Sequence, residues 1–288
     1  MDRNIYSFLK KPYQLLKKVY NKIKVGYWVR QEWRVRINDV VICEDNRYIP
    51  RTTQAGRVLG DFQVMHNGIK VKKDGYYGSE ITKMLRKSRG VHEPQEERVF
   101  GDLLKKISPG ATMIELGAFW AFYAMWFLKE VEKGTAYLFE ADQDNLIVGQ
   151  QNFKANGLNG DFNRAFISNR VDLTTTPPTL TVDYILKEKK IDFIDILHSD
   201  IEGFELQMLE GADETIEQNR IGYFVISTHS NDIHYACLDF LKEKNFIIIC
   251  EADKLNTYSY DGLIVARSVH YAGIEPVEIA QKQKHPNT

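Results

Sequence analysis

Acidic residues stand directly after apolar segments at several points in the second half of the chain. Glu115 follows the run "ATMI", and Glu140 follows "TAYLF", 25 residues further on. If the two runs are neighbouring strands of a parallel sheet, both carboxylates lie at its carboxyl edge, where such sheets bind ligands. A carboxylate at the end of the second strand can accept two hydrogen bonds from a ribose diol. The pair therefore indicates a nucleoside site.

The turn after the first of these strands distinguishes between nucleoside ligands. Glu115 is followed by Gly117 and Ala118, and then by the bulky Phe119 and Trp120. A pyrophosphate needs close approach to backbone N–H groups, which bulky side chains hinder and a nearby carboxylate opposes. A ligand with a ribose and an ammonium group but no phosphate suits this turn better. S-adenosylmethionine has that composition, and we expect it here.

The densest group of acids, Asp200, Glu202 and Glu205, follows the buried run "IDFIDILHS". We expect Asp200 to project into the crevice beside the reacting group. Glu202 is a second catalytic candidate, although a carboxylate at a helix start is also stabilised by about 0.3–1 kcal/mol through the helix dipole. His229 ends a further strand in "STHS". A neutral imidazole there can take a proton from an attacking hydroxyl, with Asp200 orienting it or acting as the base itself.

Strand-like and helix-like segments alternate from about residue 110 onward. This order predicts an α/β fold with a doubly wound, mostly parallel, Rossmann-like sheet. The ligand crevice of such a sheet lies outside the carboxyl ends of its strands. Four polar segments are expected to form it: Glu115–Phe119, Glu140–Asp142, Asp200–Gly203 and His229–Asp232.

The remaining sequence is expected to form an N-terminal extension, residues 1–90, ahead of a catalytic domain at 91–288. Residues 8–24 have the pattern of a basic amphipathic helix, which can lie on an anionic membrane or dock on its own domain. His92, Glu93 and Glu96 could fold over the crevice, whereas Glu96 and Glu97 could equally begin a helix. The net charge of −1 gives no indication of nucleic acid binding, and the three scattered cysteines fit a reducing cytoplasm. The oligomeric state stays open.

Residues 91–268 resemble the FkbM-like family of S-adenosylmethionine-dependent methyltransferases. The resemblance is carried by "MIELGAFWAFYAMWF", "YLFEADQDNLIVGQQNFKANG", "IDFIDILHSDIEGFELQMLEGA" and "YFVISTHS". It implies a class I methyltransferase fold in which Glu115, Gly117 and Ala118 hold the methionine end, Glu140 holds the ribose, and Ala165 and Phe166 border the adenine. With the rest of the crevice, the cofactor-binding candidates are Glu115, Gly117, Ala118, Phe119, Glu140, Ala141, Asp142, Ala165 and Phe166.

Three positions depart from the usual family pattern. An Asn is usual where Phe119 stands, a Gly where Ala121 stands, and a Lys where His198 stands. The first two bear on the path of the turn. The third excludes a lysine-based role at that position, and we expect His198 to support the neighbouring Asp200 instead.

These observations predict an O-methyltransferase that acts on a hydroxyl of a sugar, a glycan or a related small metabolite. The choice of a sugar as the acceptor rests on the family resemblance alone. The alternatives are a nicotinamide-dependent oxidoreductase, which the absence of a GxGxxG motif disfavours, and a nucleoside-binding module without catalysis. Magnesium held by Asp200 with Asn231 or Asp232 is a competing mechanism, and no metal site is predicted.

Overall fold

The computed structural model describes residues 29–282, so the basic segment 8–24 lies outside the described residues. A 3₁₀ turn covers Glu44–Tyr48. The helices are α1 (29–42), α2 (Ser79–Ser88), α3 (Pro94–Leu104), α4 (Phe122–Glu130), α5 (Gln143–Ala155), α6 (Val182–Lys189), α7 (Glu205–Glu210), α8 (Asp213–Glu217) and α9 (Asn231–Glu243). The strands are β1 (Val58–Leu59), β2 (Phe62–Val64), β3 (Lys70–Lys72), β4 (Thr112–Leu116), β5 (Thr135–Glu140), β6 (Asp161–Arg164), β7 (Phe166–Ile167), β8 (Thr179–Leu180), β9 (Ile194–Ser199), β10 (Ile221–Thr228), β11 (Phe246–Ala252) and β12 (Gly262–Ser268).

A seven-stranded sheet forms the centre of the molecule, in the order β11-β12-β10-β9-β4-β5-β6. All neighbours pair in parallel except β12, which runs antiparallel to both β10 and β11. Strand order reverses direction at β4, which lies between β5 and β9, and such a reversal opens a crevice at the carboxyl edge. The predicted α/β fold with a doubly wound, mostly parallel, Rossmann-like sheet is confirmed.

Apolar layers cover both faces of the sheet. Met113 belongs to the layer beneath α3 and α4, whereas Ile114 and Leu116 belong to the layer beneath α6 to α9. This alternation follows from the two-residue side-chain period of a strand. It also decides the direction of Glu115, which must share the face of Met113.

The sequence predicts a helix that follows a turn at Pro94, and a second helix through Met208 that breaks at Gly211; both are confirmed. Pro94 begins α3, as its fixed φ and missing N–H favour at the first helical position. The helical pattern around Met208 is divided at Gly211 into α7 and α8. The run "DFNRAFIS" (161–168) predicts one continuous strand. This prediction is wrong in its extent, because the run divides into β6 in the main sheet and β7, which pairs with β8 outside that sheet.

The segment before residue 91 packs closely on the sheet domain. Strands β1 to β3 form a small antiparallel sheet, and Asn152 and Asn156 of α5 hydrogen bond to the backbone of β3. Ile37 and Val40 of α1 lie in the same apolar layer as Met113. The described part of the extension thus shares a core with the sheet domain. Among the described helices, none is long and apolar enough to cross a bilayer.

Candidate active site

Two neighbouring cavities lie at the carboxyl edge of the sheet. The first, which we call the rim cavity, has a volume of about 540 Å³. Its lining includes Tyr76, Tyr77, Gly117, Phe119, Phe139, Glu140, Ala141, Asp142, Asn145, Arg164, Ala165, Phe166, Asp200, Ile201, Glu202 and Phe204. The second, the side cavity, has a volume of about 340 Å³ and is lined by Glu32, Trp33, Arg36, Tyr76, Tyr77, Asp200, Glu202, Tyr260 and Asp261. Asp200, Glu202, Tyr76 and Tyr77 line both.

The turn between β4 and α4 forms one wall of the rim cavity. Gly117 lies so close to the end of β9 that a β-carbon on it would stand 1.7 Å from the Asp200 carbonyl oxygen. The N–H groups of Gly117 and Ala118 both donate to the Phe139 carbonyl, at 2.8 and 3.0 Å. These two N–H groups therefore join strand ends to each other and are not free for a ligand.

Positive φ angles recur along this turn, at Gly117 (74°), Phe119 (32°) and Ala121 (58°). The Asn and Gly that are usual in the family at the last two positions are the residues that adopt such angles most readily. Each non-glycine residue in this region costs of order 1–3 kcal/mol, so the surrounding packing must hold it.

Packing from the extension and from α5 holds the turn in this conformation. The Tyr76 ring stacks on Trp120 with centroids 4.4 Å apart and contacts Phe119 edge-on at 4.8 Å. Asn152 donates from Nδ2 to the Trp120 carbonyl at 2.9 Å. The bulky residues after Ala118 thus pack between two elements, and Phe119 reaches the rim cavity.

Glu140 lies where the sequence predicts it, at the end of β5 and in the lining of the rim cavity. Its Oε2 accepts from the Phe119 N–H at 3.1 Å, and its Oε1 accepts from the Asp142 N–H at 2.8 Å. Burial raises the pKa of this carboxyl, and the two backbone donors oppose that rise. Each carboxylate oxygen accepts more than one hydrogen bond, so Glu140 retains the capacity to bind a ribose diol.

Asp142, Ala165 and Phe166 also line the rim cavity, with Ala141 beside them. Asp142 caps α5, because its Oδ1 accepts from the N–H groups of Asp144 and Asn145 at 2.8 and 3.0 Å. Phe166 is more than half exposed at the mouth of the cavity. The structure thus brings together Gly117, Phe119, Glu140, Ala141, Asp142, Ala165, Phe166, Asp200 and Glu202.

Glu115 and Ala118 do not line the rim cavity, which disagrees with their predicted contact with the methionine end. The Glu115 side chain is buried on the face of β4 that faces α4, and its Oε2 accepts from the Ala124 N–H at 3.0 Å. Burial, partly opposed by His198 and by backbone donors of α4, raises its pKa to about 7. Ala118 is buried as well. The Glu115 carboxyl therefore anchors the start of α4.

His92, Glu93 and Glu96 do not fold over the crevice either. All three are buried in a polar network beneath α4, in which His92 contacts Glu93 at 2.9 Å. Glu96 contacts His198 at 2.8 Å, and the His198 ring stacks on Tyr123. His198 is therefore held by α3 and α4, and the predicted support of Asp200 is not among its hydrogen bonds.

His229 lies behind Asp200 and is surrounded by carboxylates from four positions. Its Nε2 is 3.3 Å from Asp200 Oδ1, 3.4 Å from Glu202 Oε2 and 3.7 Å from Asp261 Oδ1. Its Nδ1 is 2.8 Å from Glu205 Oε1. Burial alone would lower the pKa of this ring, but its hydrogen bonds to Asp200 and Glu205 and the nearby charges outweigh burial and raise it to about 11. The ring is an imidazolium, so the prediction of a neutral imidazole base disagrees with its surroundings.

A histidine titration tests this assignment. We expect the His229 ring to stay protonated from pH 6 to pH 9, because its pKa is raised to about 11. The contribution of the cluster to stability is then present in full below the ordinary pKa of about 6.5 and is lost as the pH rises through about 11. Ring nitrogen shifts of ¹⁵N-histidine-labelled protein, assigned by comparison with His229→Gln, report the protonation. A midpoint near pH 6.5 for this ring would contradict the assignment.

The competing magnesium arrangement lacks its partner ligands at Asp200. Asn231 Oδ1 accepts from the Lys254 N–H at 3.0 Å, and Asp232 is exposed at the start of α9. Among residues 29–282, no group of three or more His, Cys, Asp or Glu side chains is arranged to hold a metal ion.

Sequence reasoning missed the side cavity almost entirely. Arg36 and Trp33 come from α1, and Tyr260 and Asp261 come from the loop before β12. The only sequence signal for this cavity was the tyrosine pair in "DGYYGS", where two bulky rings stand between glycines. At Tyr77 the backbone has a φ of 44°, and the Tyr77 hydroxyl donates to Glu202 at 3.3 Å.

Comparisons with known proteins bear on the predicted family. No curated protein matches the chain. Several solved structures are similar in fold, among them precorrin-6y C5,15-methyltransferase from Geobacter metallireducens (14% identity, TM-score 0.44, 60% of this chain and 87% of that one). A second is a ribosomal protein L11 methylase from Lactobacillus delbrueckii (14% identity, TM-score 0.42, 62% of this chain and 81% of that one). A third is a SAM-dependent methyltransferase from Aquifex aeolicus (16% identity, TM-score 0.38, 60% of this chain and 89% of that one). At these identities and TM-scores, the likeness says nothing about activity or substrate.

The family match is more specific. Residues 142–248 match the Methyltransferase FkbM domain, and this segment includes Asp200, Glu202 and His229. The match supports the predicted methyltransferase over the nicotinamide alternative. The resemblance read from the sequence is thus confirmed over residues 142–248.

Proposed function

We propose that the protein is an O-methyltransferase that transfers a methyl group from S-adenosylmethionine to a hydroxyl of a sugar or a glycan-like acceptor. The observation that carries the proposal is the junction of the rim cavity and the side cavity at Asp200. Methyl transfer needs donor and acceptor in separate sites that meet at one point. A carboxylate at that point can receive the proton of the acceptor.

The residues of the rim cavity fit S-adenosylmethionine. Glu140 offers a carboxylate for a ribose diol, Ala165 and Phe166 offer apolar surface for an adenine, and the cavity volume of about 540 Å³ lies within the range of cofactor sites. The bound cofactor supplies an electrophilic methyl group on a sulfonium. The protein's part is to position the two reactants, which can contribute roughly 7–11 kcal/mol to the rate.

The side cavity has the composition expected of a sugar site. Trp33, Tyr76, Tyr77 and Tyr260 provide aromatic surface, and sugar rings present apolar C–H faces that pack on such surfaces. Asp200, Glu202 and Asp261 provide oxygens that accept hydrogen bonds from hydroxyl groups. This gives the sugar prediction support from residues of the chain as well as from the family.

Asp200 is the residue we assign as general base. Its carboxylate lies at the junction of the two cavities and is partly exposed, with 28% of the side chain accessible. It can accept a hydrogen bond from the acceptor hydroxyl and take its proton as the oxygen attacks. The His229 imidazolium, held by four carboxylates, keeps Asp200 in place and balances the negative charge beside it.

Transfer of labelled methyl to a panel of neutral, amino and acidic sugars tests the function directly. We expect a methyl ether product, identified by its mass and its stability to base, together with S-adenosylhomocysteine. A protein that binds S-adenosylhomocysteine but forms no methylated product with any acceptor would be a binding module. Methyl incorporation on nitrogen alone would contradict the hydroxyl acceptor.

Glu140→Gln should weaken the binding of S-adenosylmethionine and S-adenosylhomocysteine by about 10–100-fold. The reason is that hydrogen bonds to a charged group contribute about 1.5–3 kcal/mol, and the neutral amide cannot accept both ribose hydroxyls as the carboxylate does. Titration calorimetry measures the two dissociation constants. Asp144→Asn is the matched control, because Asp144 is an exposed neighbour in α5 outside the cavity lining. Equal affinities of Glu140→Gln and Asp144→Asn would remove Glu140 from the cofactor site.

A further inference from the structure

The side cavity contains one arginine, Arg36, on the inward side of α1. Its guanidinium carbon lies 4.9 Å from the centre of the Trp33 ring, 5.8 Å from that of Tyr77 and 5.0 Å from that of Tyr260. Aromatic faces attract a cation and hold a planar guanidinium in a fixed orientation. The three rings therefore position this group within the cavity.

Arg36 has no hydrogen-bonding partner among residues 29–282, although its charge acts on the buried Glu93. Its Nε is buried and makes no hydrogen bond, and none of the ion pairs in this part of the chain includes it. Of the residues outside the described range, only Asp2 has an acidic side chain. A buried donor without a partner is unfavourable, so the free protein holds Arg36 ready for an acceptor group that the ligand brings.

Three of the four carboxylates that line the same cavity lie beside a cation; the fourth, Glu32, forms no ion pair within the described part of the chain. Asp200, Glu202 and Asp261 all lie within 3.7 Å of the His229 imidazolium. Asp261 also contacts Lys254 Nζ at 3.2 Å. These carboxylates therefore lie beside His229 or Lys254, whereas no carboxylate among residues 29–282 forms an ion pair with Arg36.

We propose that Arg36 binds an anionic group, a carboxylate or a phosphate, on the acceptor, so that the substrate is an acidic sugar. A guanidinium binds such groups through two parallel hydrogen bonds, which gives orientation as well as affinity. The anion at Arg36 would fix the sugar at one end of the side cavity and present a hydroxyl to Asp200 at the other boundary. The sugar acceptor in this proposal rests on the proposed function, and the negative charge of that acceptor is inferred from Arg36.

Binding measurements on protein saturated with S-adenosylhomocysteine test the proposal without turnover. The probes are D-glucuronate, D-glucose 6-phosphate and D-glucose, titrated by calorimetry into wild type, Arg36→Gln and Arg36→Lys. We expect at least one anionic probe to bind about tenfold or more tightly than glucose, and Arg36→Gln to remove that difference. Arg36→Lys should restore part of it, because it keeps the charge but not the paired geometry. Arg34→Gln is the matched control, an exposed arginine on the same helix.

The two anionic probes separate a carboxylate from a phosphate. The proposal is overturned if Arg36→Gln weakens the binding of glucose as much as the binding of the anions, or if the wild-type protein binds neither anion saturably. Where a probe is also methylated, Arg36→Gln should raise KM for the anionic acceptor and lower kcat, because the anion no longer orients the hydroxyl toward Asp200. Failure of the proposed function looks different: anions would bind through Arg36, yet no hydroxyl would be methylated.

Discussion

Asp200→Asn is expected to lower kcat for methyl transfer by about 10²–10⁴-fold, the usual contribution of a positioned general base. The amide has nearly the shape of the carboxylate but cannot take a proton from the acceptor hydroxyl. Asp200 lies where the rim cavity meets the side cavity, so its loss should affect the reaction more than the binding of either ligand. Single-turnover methyl transfer gives the rate, and calorimetry with S-adenosylhomocysteine should show an affinity within about threefold of wild type, a change below 1 kcal/mol.

Asp232→Asn is the matched control for this variant. Asp232 is an exposed aspartate near the same edge of the sheet, and it is the residue that a magnesium mechanism would pair with Asp200. We expect its rate to equal that of wild type. A rate for Asp200→Asn within about tenfold of wild type would show that another group accepts the proton, because the loss of a general base lowers the rate by about 10²-fold or more. Equal losses in the two variants would instead favour a shared metal ion.

The sequence was informative wherever a single segment decides the structure. Glu140 and Asp200 could be placed because each follows its own apolar strand, and the edge of a parallel sheet gathers such residues. The start of α3 at Pro94 and the break at Gly211 likewise depend on one residue each.

Predictions that depend on distant segments were less successful. Glu115 also follows a strand, but the alternation of side chains directs it beneath α4 and away from the crevice. The charge of His229 is decided by Asp200, Glu202, Glu205 and Asp261, and the last of these is 32 residues away along the chain (261 − 229). No local pattern reports such an arrangement.

The side cavity is the clearest example of this limit. Arg36 and Tyr77 belong to a segment that precedes the matched residues, and they line the side cavity only because α1 and the loop after β3 pack across the edge of the sheet. The proposed acceptor site therefore combines residues of the extension with residues of the matched segment. Its specificity cannot be inferred from the domain alone.

Gly117→Ala is expected to abolish cofactor binding and to destabilise the fold. Alanine at a positive φ costs about 1–2 kcal/mol, and overpacking of a filled site costs typically 1–3 kcal/mol more. Here the new β-carbon would stand 1.7 Å from the Asp200 carbonyl oxygen, a distance at which the ends of β4 and β9 must separate. Both Asp200 and the turn that carries Phe119 would shift. We expect the affinity for S-adenosylhomocysteine to fall by about 100-fold or more, which corresponds to a loss of about 2.7 kcal/mol in binding free energy.

Gly157→Ala is the control that separates the steric clash with Asp200 from the cost of placing alanine at a positive φ. Gly157 has a φ of 66°, close to the 74° of Gly117, but a β-carbon there meets nothing within 4 Å. Both variants lose the conformational freedom of glycine, so the control should lose only about 1–2 kcal/mol of the free energy of unfolding and keep its cofactor affinity. Thermal melting and calorimetry measure the two quantities, with a melting temperature lower by roughly 2–4 °C for each kcal/mol. Equal cofactor affinities of the two variants would show that the close approach of Gly117 to Asp200 does not govern the site. A loss of affinity confined to Gly117→Ala would show that cofactor binding depends on the junction of β4 and β9.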